Sequence, residues 1–479
     1  MVKHLVIAPE DVRRAETIDL GTIAVNAYRK TLADEIAEGR LTAEDVIRLY
    51  RDMLLIREFE EMLGEIKRLG RYKDIAYGHQ GPAHLSVGQE AAAVGEAFLL
   101  DVESHIFGNH RSHGEIIAKG LSAIHGLSEP TLQEIMEAYL GGDILRVLER
   151  VPAPNGTERA IDYLLYGLLA EIFGRATGFN RGLGGSMHAF FPPFGIYPNN
   201  AIVGGSADIA VGASLHKRVQ RKPGIVIANI GDASTGCGPV WEAMNFATMG
   251  QLWTLWEPEY RGGLPVIFAF MNNFYGMGGQ TRGETMGFTR LSTIAAGLNP
   301  FNLHAETVDG NNPLAVIDAF RRKIPLLAVG KGPVLLDILT YRQSGHSPSD
   351  AGAYRTREEI QLWQAVDPIR EFGAQLLEAK VATAAELEAL AAYAARKVHQ
   401  ACRLAVDLQI SPRLTGEDIA RVMFSHAAEA ALPGVAPDAV QKPLAENSRL
   451  QAIATKRRSG IDPSTGERLG ETQAVSFRD

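Results

Sequence analysis

The clearest pattern in the chain is helical spacing between residues 41 and 70, "LTAEDVIRLYRDMLLIREFEEMLGEIKRLG". Val46, Leu49, Tyr50 and Met53 recur three or four residues apart, so one face of the segment is apolar. Thr42 stands where it caps the first turn, and Asp45, three residues on, stands where it returns the bond as a capping box. "LSVGQEAAAVGEAFLL" is rich in small residues, as in a helix packed closely on a neighbour, and 121–170 reads as mostly helical. From residue 174 the pattern changes. "GRATGFNRGLGGSMHAFFPPFGIYPNNAIVGGSADIAVGAS" is dense in Gly, Asn and Pro yet keeps Met187, Phe190, Phe191 and Ile202, which predicts an ordered functional loop. The apolar runs "GIVIANI", "PVIFAFMNN" and "PVLLDILTY" then alternate with helical stretches. Continuous apolar strands between helices predict an α/β fold, a mostly parallel sheet with helices on both faces. A late alanine-rich segment, "ATAAELEALAAYAARKVHQACRLAVDLQ", predicts another helix. Beyond about residue 430 the chain turns polar, and "KRRSGIDPSTGERLGET" reads as an exposed arm or linker. The expected organisation is a helical N-terminal extension over 1–40, an α/β domain over 41–430 and a polar arm over 431–479.

Composition narrows the class. The chain has 479 residues, 46% of them hydrophobic, enough for a large core. Its net charge of -8 gives no global basic field for nucleic acid or an anionic membrane. No apolar run reaches the length of a spanning helix, and the charged start "MVKHLVIAPEDVRRAE" is no signal peptide. Two cysteines, Cys237 and Cys402, are too few for a disulfide framework. A cytoplasmic globular protein is expected, without nucleic-acid or membrane partners.

Two strand ends carry the candidate chemistry. "NIGDASTGCG" ends an apolar run in Asp232, and "FMNNFYGMGG" ends the next in Asn272 and Asn273. Ligands of open α/β sheets bind beyond the carboxyl ends of the strands. Asp and Asn offer hard oxygens suited to Mg²⁺ or Ca²⁺, with a diphosphate and water to complete six ligands. The glycines of "GDASTGCG" let backbone pass close to such a ligand, and the helix "PVWEAMNFATMG" would aim its first amides at negative charge. Each segment alone has a plainer reading, Asp232 as a helix cap and the asparagines as a turn.

"GNHRSHGEIIAKG", "GLGGSMHAF", "NNAIVGG", "GDAS", "NNFYGMGGQT" and "TYRQSGHSPSDAGAYRTREEI" follow one another in that order. The ordered set, over roughly residues 40–410, resembles the α subunit of the thiamine-diphosphate-dependent first component of 2-oxo-acid dehydrogenase complexes, of the pyruvate, acetoin and branched-chain type. The resemblance implies the thiamine-diphosphate-binding fold and, as cofactors, thiamine diphosphate and Mg²⁺. It implies Asp232, Asn273 and the backbone carbonyl of Tyr275 as metal ligands. Gly231, Ala233 and Ser234 would lie against the diphosphate, and the fork of Arg111 would grip it. Ala201 and Val203 match the segment that holds the aminopyrimidine. His346 matches an active-site histidine, His84 one near the substrate, and His110 stands where many members have tyrosine. His84, His110 and His113 are each also readable as satisfied buried histidines. The implied reaction is decarboxylation of a 2-oxo acid with acyl transfer to a lipoyl group on an acyltransferase core. The implied partner is a β subunit, in an α2β2 assembly, which supplies the glutamate that activates the cofactor; the pattern does not give Glu90 that role. "ETQAVSFRD" resembles the opening of such a β chain, and Ser347 and Ser349 resemble positions phosphorylated in animal members.

The chain also departs from the pattern. Ala233 replaces the last glycine of the usual "GDG", and Ser344 replaces the first histidine of "HGH". Extra residues fall near "LWTLWEPEYRGG" and at about 126–165. These departures are expected around the site, where they would bear on the substrate. A ketol transfer like that of transketolase uses the same cofactor and is the alternative. A non-catalytic nucleotide-binding protein fits poorly with Asp232, Asn273, Arg111 and His346 all present. A dinucleotide-binding dehydrogenase lacks its G-x-G-x-x-G after the first strand.

Overall fold

In the structure, a computed structural model, seven strands form one sheet: β1 (Ala24–Val25), β2 (His105–Phe107), β3 (Ile196–Tyr197), β4 (Val226–Gly231), β5 (Val266–Asn272), β6 (His304–Asp309) and β7 (Val334–Leu339). Their spatial order is β1-β6-β7-β5-β4-β2-β3, and every pairing is parallel. Parallel sheets are covered on both faces, so their strands read as unbroken apolar runs. Alternate residues of each run serve opposite layers. Ile227, Ile267, Ala269, Leu336 and Ile338 join one buried cluster, while Val226, Ala228, Ile230, Phe268, Phe270 and Leu335 join another. The helices that build these layers include α1 (Ala43–Leu69), α2 (Glu90–Ala97), α3 (His113–Gly126), α4 (Gly156–Ile172), α5 (Gly205–Gln220), α6 (Gly238–Ala247), α7 (Pro313–Ala328) and α8 (Ala384–Val406). Helices α5 and α6 pack in the second cluster, and α1, α3, α4, α7 and α8 in the first.

The structure describes residues 8–423 and, beyond them, Gln451, Thr455, Arg457, Arg458, Thr472 and Gln473. The chain divides into two units, Met1–Leu414 and Thr415–Asp479. The second holds, among the described residues, the helix Gly416–Met423 and an antiparallel pairing of Arg457–Arg458 with Thr472–Gln473. The rest of the arm expected over 431–479 lies outside the described residues. Residues 8–40 carry two short helices, Pro9–Val12 and Leu32–Ala37, and strand β1.

The capping box of α1 is present on both sides. Thr42 Oγ1 accepts from the Asp45 N–H at 3.1 Å, and Asp45 Oδ2 accepts from the Thr42 N–H at 3.0 Å. Gly70, at φ 67°, ends the helix in the left-handed region. The small residues of α2 are there for close packing. A Cβ on Gly95 would lie 2.7 Å from Val316 Cβ of α7, so α2 and α7 approach where only glycine fits.

Helix α2 also carries Glu96, buried against β4. Its Oε1 accepts from Asn229 Nδ2 at 2.9 Å, while Glu96 Oε2 and Asn229 Oδ1 both lack a donor among the described residues. A proton on the carboxyl supplies one. Burial pushes Glu96 up to about 8, the nearby Glu115 adds to this, and the Asn229 bond opposes it. With the folded-state value above the ordinary 4.5, the folded state holds the extra proton. The associated stability is therefore complete below 4.5 and lost as pH rises through about 8. Glu96→Gln keeps the shape and removes the titration. The variant should match the native chain near about pH 5 and exceed it by on the order of 2 kcal/mol at about pH 9, read by chemical denaturation across pH. A constant difference across that range would refute the account.

Candidate active site

Strands β4 and β5 are neighbours in register, with Gly231 opposite Met271, so Asp232 and Asn273 leave the sheet side by side at its carboxyl edge. Asp232 opens a short 3-10 turn, Asp232–Gly236, that leads into α6. It is 1% exposed. Thr281 Oγ1 donates to its Oδ2 at 2.5 Å. Burial nevertheless pushes its carboxyl up to about 6, against the lowering effect of that bond and of backbone N–H groups.

The two asparagines part company. Asn272 turns into the sheet, where its Nδ2 donates to the buried Asp337 of β7 at 2.8 Å. Asp337 also accepts from the Leu291 N–H and from Thr307 Oγ1, so it is a structural hub under the site. Asn273 turns to the cleft side. Its Nδ2 donates to Gln89 Oε1 at 3.1 Å, and its Oδ1 accepts from the Tyr275 N–H at 3.2 Å. Successive residues at a strand end point to opposite faces, so the two side chains diverge, and Phe274, next in sequence, turns the chain away with a left-handed φ of 67°.

Across the cleft, Arg111 lies between β2 and α3, 5% exposed. It donates from Nη1 to the Leu85 carbonyl and from Nη2 to the His346 carbonyl, both at 2.8 Å. Burial, with Arg342 beside it, draws its guanidinium down to about 9. His346 lies in the loop after β7, and its N–H donates to Asp350 Oδ2 at 2.6 Å. Asp350 also accepts from the Gly352 N–H and from Tyr354 Oη. The loop is braced on itself by Arg355, which donates to the carbonyls of Arg342 and Ser344, just after β7, at 2.5 and 2.7 Å.

Three imidazoles converge here. The ring centroids of His84, His110 and His346 lie 4.7, 5.1 and 5.5 Å apart. Burial, then the Arg111 guanidinium, holds His84 at about 3, His110 at about 2 and His346 at about 4, so all three are neutral at neutral pH. Their nitrogens fall within 4.8 Å of one another, a spacing that allows a metal. The field argues otherwise. Guanidinium nitrogens of Arg111 and Arg342 each stand 3.4 Å from His346 Nδ1, so the cluster favours an anion over a second cation.

The site residues that the resemblance implies line one cleft of about 440 Å³: His84, His110, Arg111, Ala201, Val203, Gly231, Asp232, Ala233, Ser234, Asn273, Tyr275 and His346. His113 does not. It is fully buried, with Nε2 2.8 Å from Ser186 Oγ and Nδ1 3.3 Å from Glu60, a satisfied structural histidine. The cleft also takes in Gln89, Asn109, Met187, Met271 and Arg342. Gln89 and Arg342 were not singled out from the sequence, although they stand inside the quoted runs "LSVGQEAAAVGEAFLL" and "TYRQSGHSPSDAGAYRTREEI". Met187 and Met271 carried no chemical signal. The methyl of Ala233 has room: even a Cβ on Gly276 opposite would sit 3.4 Å from Ala233 Cβ, an ordinary van der Waals contact.

The extra residues differ from expectation. The stretch 250–263 leads into the start of β5, at the strand end opposite the cleft, and neither Trp253 nor Trp256 lines the site. There the indoles are partly buried against the second core cluster. The other insertion does reach the site's surroundings. Tyr139 Oη donates to the Phe179 carbonyl at 2.9 Å, bracing the glycine-rich loop from behind.

The family described as dehydrogenase E1 component matches residues 159–412 of the chain. The chain is 31% identical over 376 residues to a pyruvate dehydrogenase E1 component subunit alpha of Zymomonas mobilis, covering 78% of this chain and 87% of that one. It is 30% identical over 378 residues to the protein of the same name in Rhizobium meliloti, covering 78% and 89%. To the alpha subunit of acetoin:2,6-dichlorophenolindophenol oxidoreductase of Bacillus subtilis it is 31% identical over 342 residues, covering 71% and 82%. With two thirds or more of each chain aligned, and the acidic and amide strand ends facing an arginine and a histidine across one cleft, the chain belongs to the dehydrogenase E1 component family.

Proposed function

We propose that this chain is the α subunit of a thiamine-diphosphate-dependent 2-oxo-acid dehydrogenase. It would work with a β-type partner in an α2β2 assembly and pass its acyl product to a lipoyl-bearing acyltransferase in the cytoplasm. No helix among the described residues is long and apolar enough to cross a membrane, which is compatible with that location. The observation that carries the proposal is the pairing of Asp232 and Asn273 at adjacent parallel strand ends, opposite Arg111 and His346 in one cleft.

The residues present fit the group. A buried carboxylate that burial raises to about 6 is stabilised by a cation that meets its oxygens. The donors are hard oxygens, from Asp232, Asn273 and the Tyr275 carbonyl, the set that suits Mg²⁺ and keeps places for phosphate and water. Arg111 would hold the diphosphate as a fork already fixed by two carbonyls, with His346 beside it. Ala201 and Val203, on the far lip, would hold the aminopyrimidine. When bound, thiamine diphosphate supplies the electron sink for the carbanion left when a 2-oxo acid loses CO₂. The chain's own residues bind, orient and manage protons. His84 and His110, held neutral, would offer hydrogen bonds to a substrate oxygen, since His84 Nδ1 and His110 Nε2 have no partner among the described residues. The methionines and Val203 make the remaining wall apolar and exclude water from the reacting carbon. Ketol transfer between sugars has no observation in its favour beyond the shared cofactor.

Co-expressed with its β-type partner and supplied with thiamine diphosphate, Mg²⁺ and an artificial electron acceptor, the chain should decarboxylate a 2-oxo acid from a panel; either chain alone should not. Ketol transfer with no decarboxylation of any 2-oxo acid would overturn the proposal. In the same assay Arg111→Lys keeps the charge but loses the fork. It should raise the cofactor concentration for half-maximal rate by about 10- to 100-fold, the equivalent of one or two charge-assisted hydrogen bonds. An unchanged half-saturation would remove Arg111 from the diphosphate site.

A further inference from the structure

Glu171 is a fully buried carboxylate that lies outside the cleft. It stands in the last turn of α4, where the helix dipole disfavours negative charge, and burial disfavours it further. Its hydrogen-bond partners are backbone amides. Oε1 accepts from the N–H groups of Gly184 and Gly185 at 2.6 and 3.1 Å. Oε2 accepts from those of Asn180 and Gly182 at 2.7 and 2.8 Å. Successive amides of a glycine-rich loop commonly cradle an external anion. In "NRGLGG" that cradle is filled from within by Glu171. The glycines are required by the closeness of the fit: a Cβ on Gly178 would lie 2.5 Å from Glu171 Cα, and one on Gly184 2.2 Å from the His188 carbonyl oxygen.

The loop so pinned runs directly into the wall of the cleft. Ser186, next in sequence, shares a hydrogen bond of 2.8 Å with His113 Nε2, and its carbonyl accepts from Asn199 Nδ2 at 3.1 Å. Met187 lines the cleft. Asn199 precedes Ala201 and Val203, and the Asn200 N–H donates to the Gly108 carbonyl at 3.1 Å, just ahead of His110 and Arg111. One carboxylate thus fixes residues 180–185, which fix Ser186 and Met187, which are tied to the segment on the far lip. We propose that Glu171 is a positioning residue for the cofactor cleft, acting as an internal anion that folds the glycine-rich loop into its binding shape. The inference rests on the cofactor reading above for its functional half only.

Glu171→Gln is nearly isosteric, but its NH₂ faces amides that need an acceptor. Amide hydrogen exchange on the α–β complex tests the latch directly. In the unmodified protein, residues 180–185 should be protected although they form no regular structure. In the Glu171→Gln variant they should exchange at least about tenfold faster, with α1 and α8 unchanged. The thiamine diphosphate concentration for half-maximal rate should rise about tenfold while the rate at saturation stays within about twofold. Loop amides that exchange freely in the unmodified protein would overturn the proposal, even if the variant fails to fold. So would a variant that melts earlier but keeps native loop exchange and half-saturation. If the unmodified complex shows no dependence on thiamine diphosphate, the functional reading fails, and the exchange measurement still decides whether Glu171 orders the loop.

Discussion

Asp232 is a carboxylate buried at the end of a central strand, and the architecture of the site follows from what that costs. Removing a charge from water is expensive unless something opposite replaces the solvent. Thr281 and backbone N–H groups offset only part of the cost, since the carboxyl still stands at about 6. The remaining deficit is one that a cation meeting its oxygens would offset. The neighbouring strand delivers Asn273 beside it with a second hard oxygen, because a parallel pair in register ends both strands on the same edge. Arg111 and Arg342 then give the opposite wall the positive charge that an anionic cofactor requires. A site arranged this way is poised between a negative floor and a positive wall, which suits a metal–diphosphate pair better than either ion alone.

How much of this was legible in the sequence depends on the range of the interaction. The parallel sheet was legible, since strands buried on both faces read as apolar runs and alternate between two cores. The α1 helix was legible from its spacing and its Thr42–Asp45 box, which are local. Asp232 and Asn273 were legible because polar residues that end apolar strands stand out. The residue types alone did not separate Asn272 from Asn273; the resemblance singled out Asn273, and the partner that holds Asn272 in the sheet, Asp337, is more than sixty residues away along the chain. Glu171 was invisible for a similar reason. In sequence it is one more acidic residue of a helix, and its four partners are backbone amides, which carry no letter. The 250–263 stretch was misplaced because length alone does not say which end of a strand an insertion adorns.

The departures from the family pattern now have physical content. Ala233 is tolerated, because its methyl faces Gly276 at a distance where even a Cβ would make only ordinary contact. His110 adds a third imidazole to a cluster that burial and Arg111 keep neutral. Neutral imidazoles can donate or accept, so the cluster offers hydrogen bonds without adding charge to a wall that already holds two guanidiniums. The insertion at about 126–165 braces the glycine-rich loop through Tyr139, so it supports the cleft's shape and not its chemistry.

The central claim is that Asp232 is buried for a cation that holds a diphosphate. The most direct test is calorimetric titration of thiamine diphosphate into the α–β complex, with and without Mg²⁺, for the native chain and for Asp232→Asn. The native complex should bind the cofactor only with Mg²⁺, and the variant should bind it at least about 100-fold more weakly. Because the substitution removes a buried charge, the cofactor-free variant should melt no earlier than the native chain. Equal cofactor affinity in the two proteins, or binding that ignores Mg²⁺, would contradict the account.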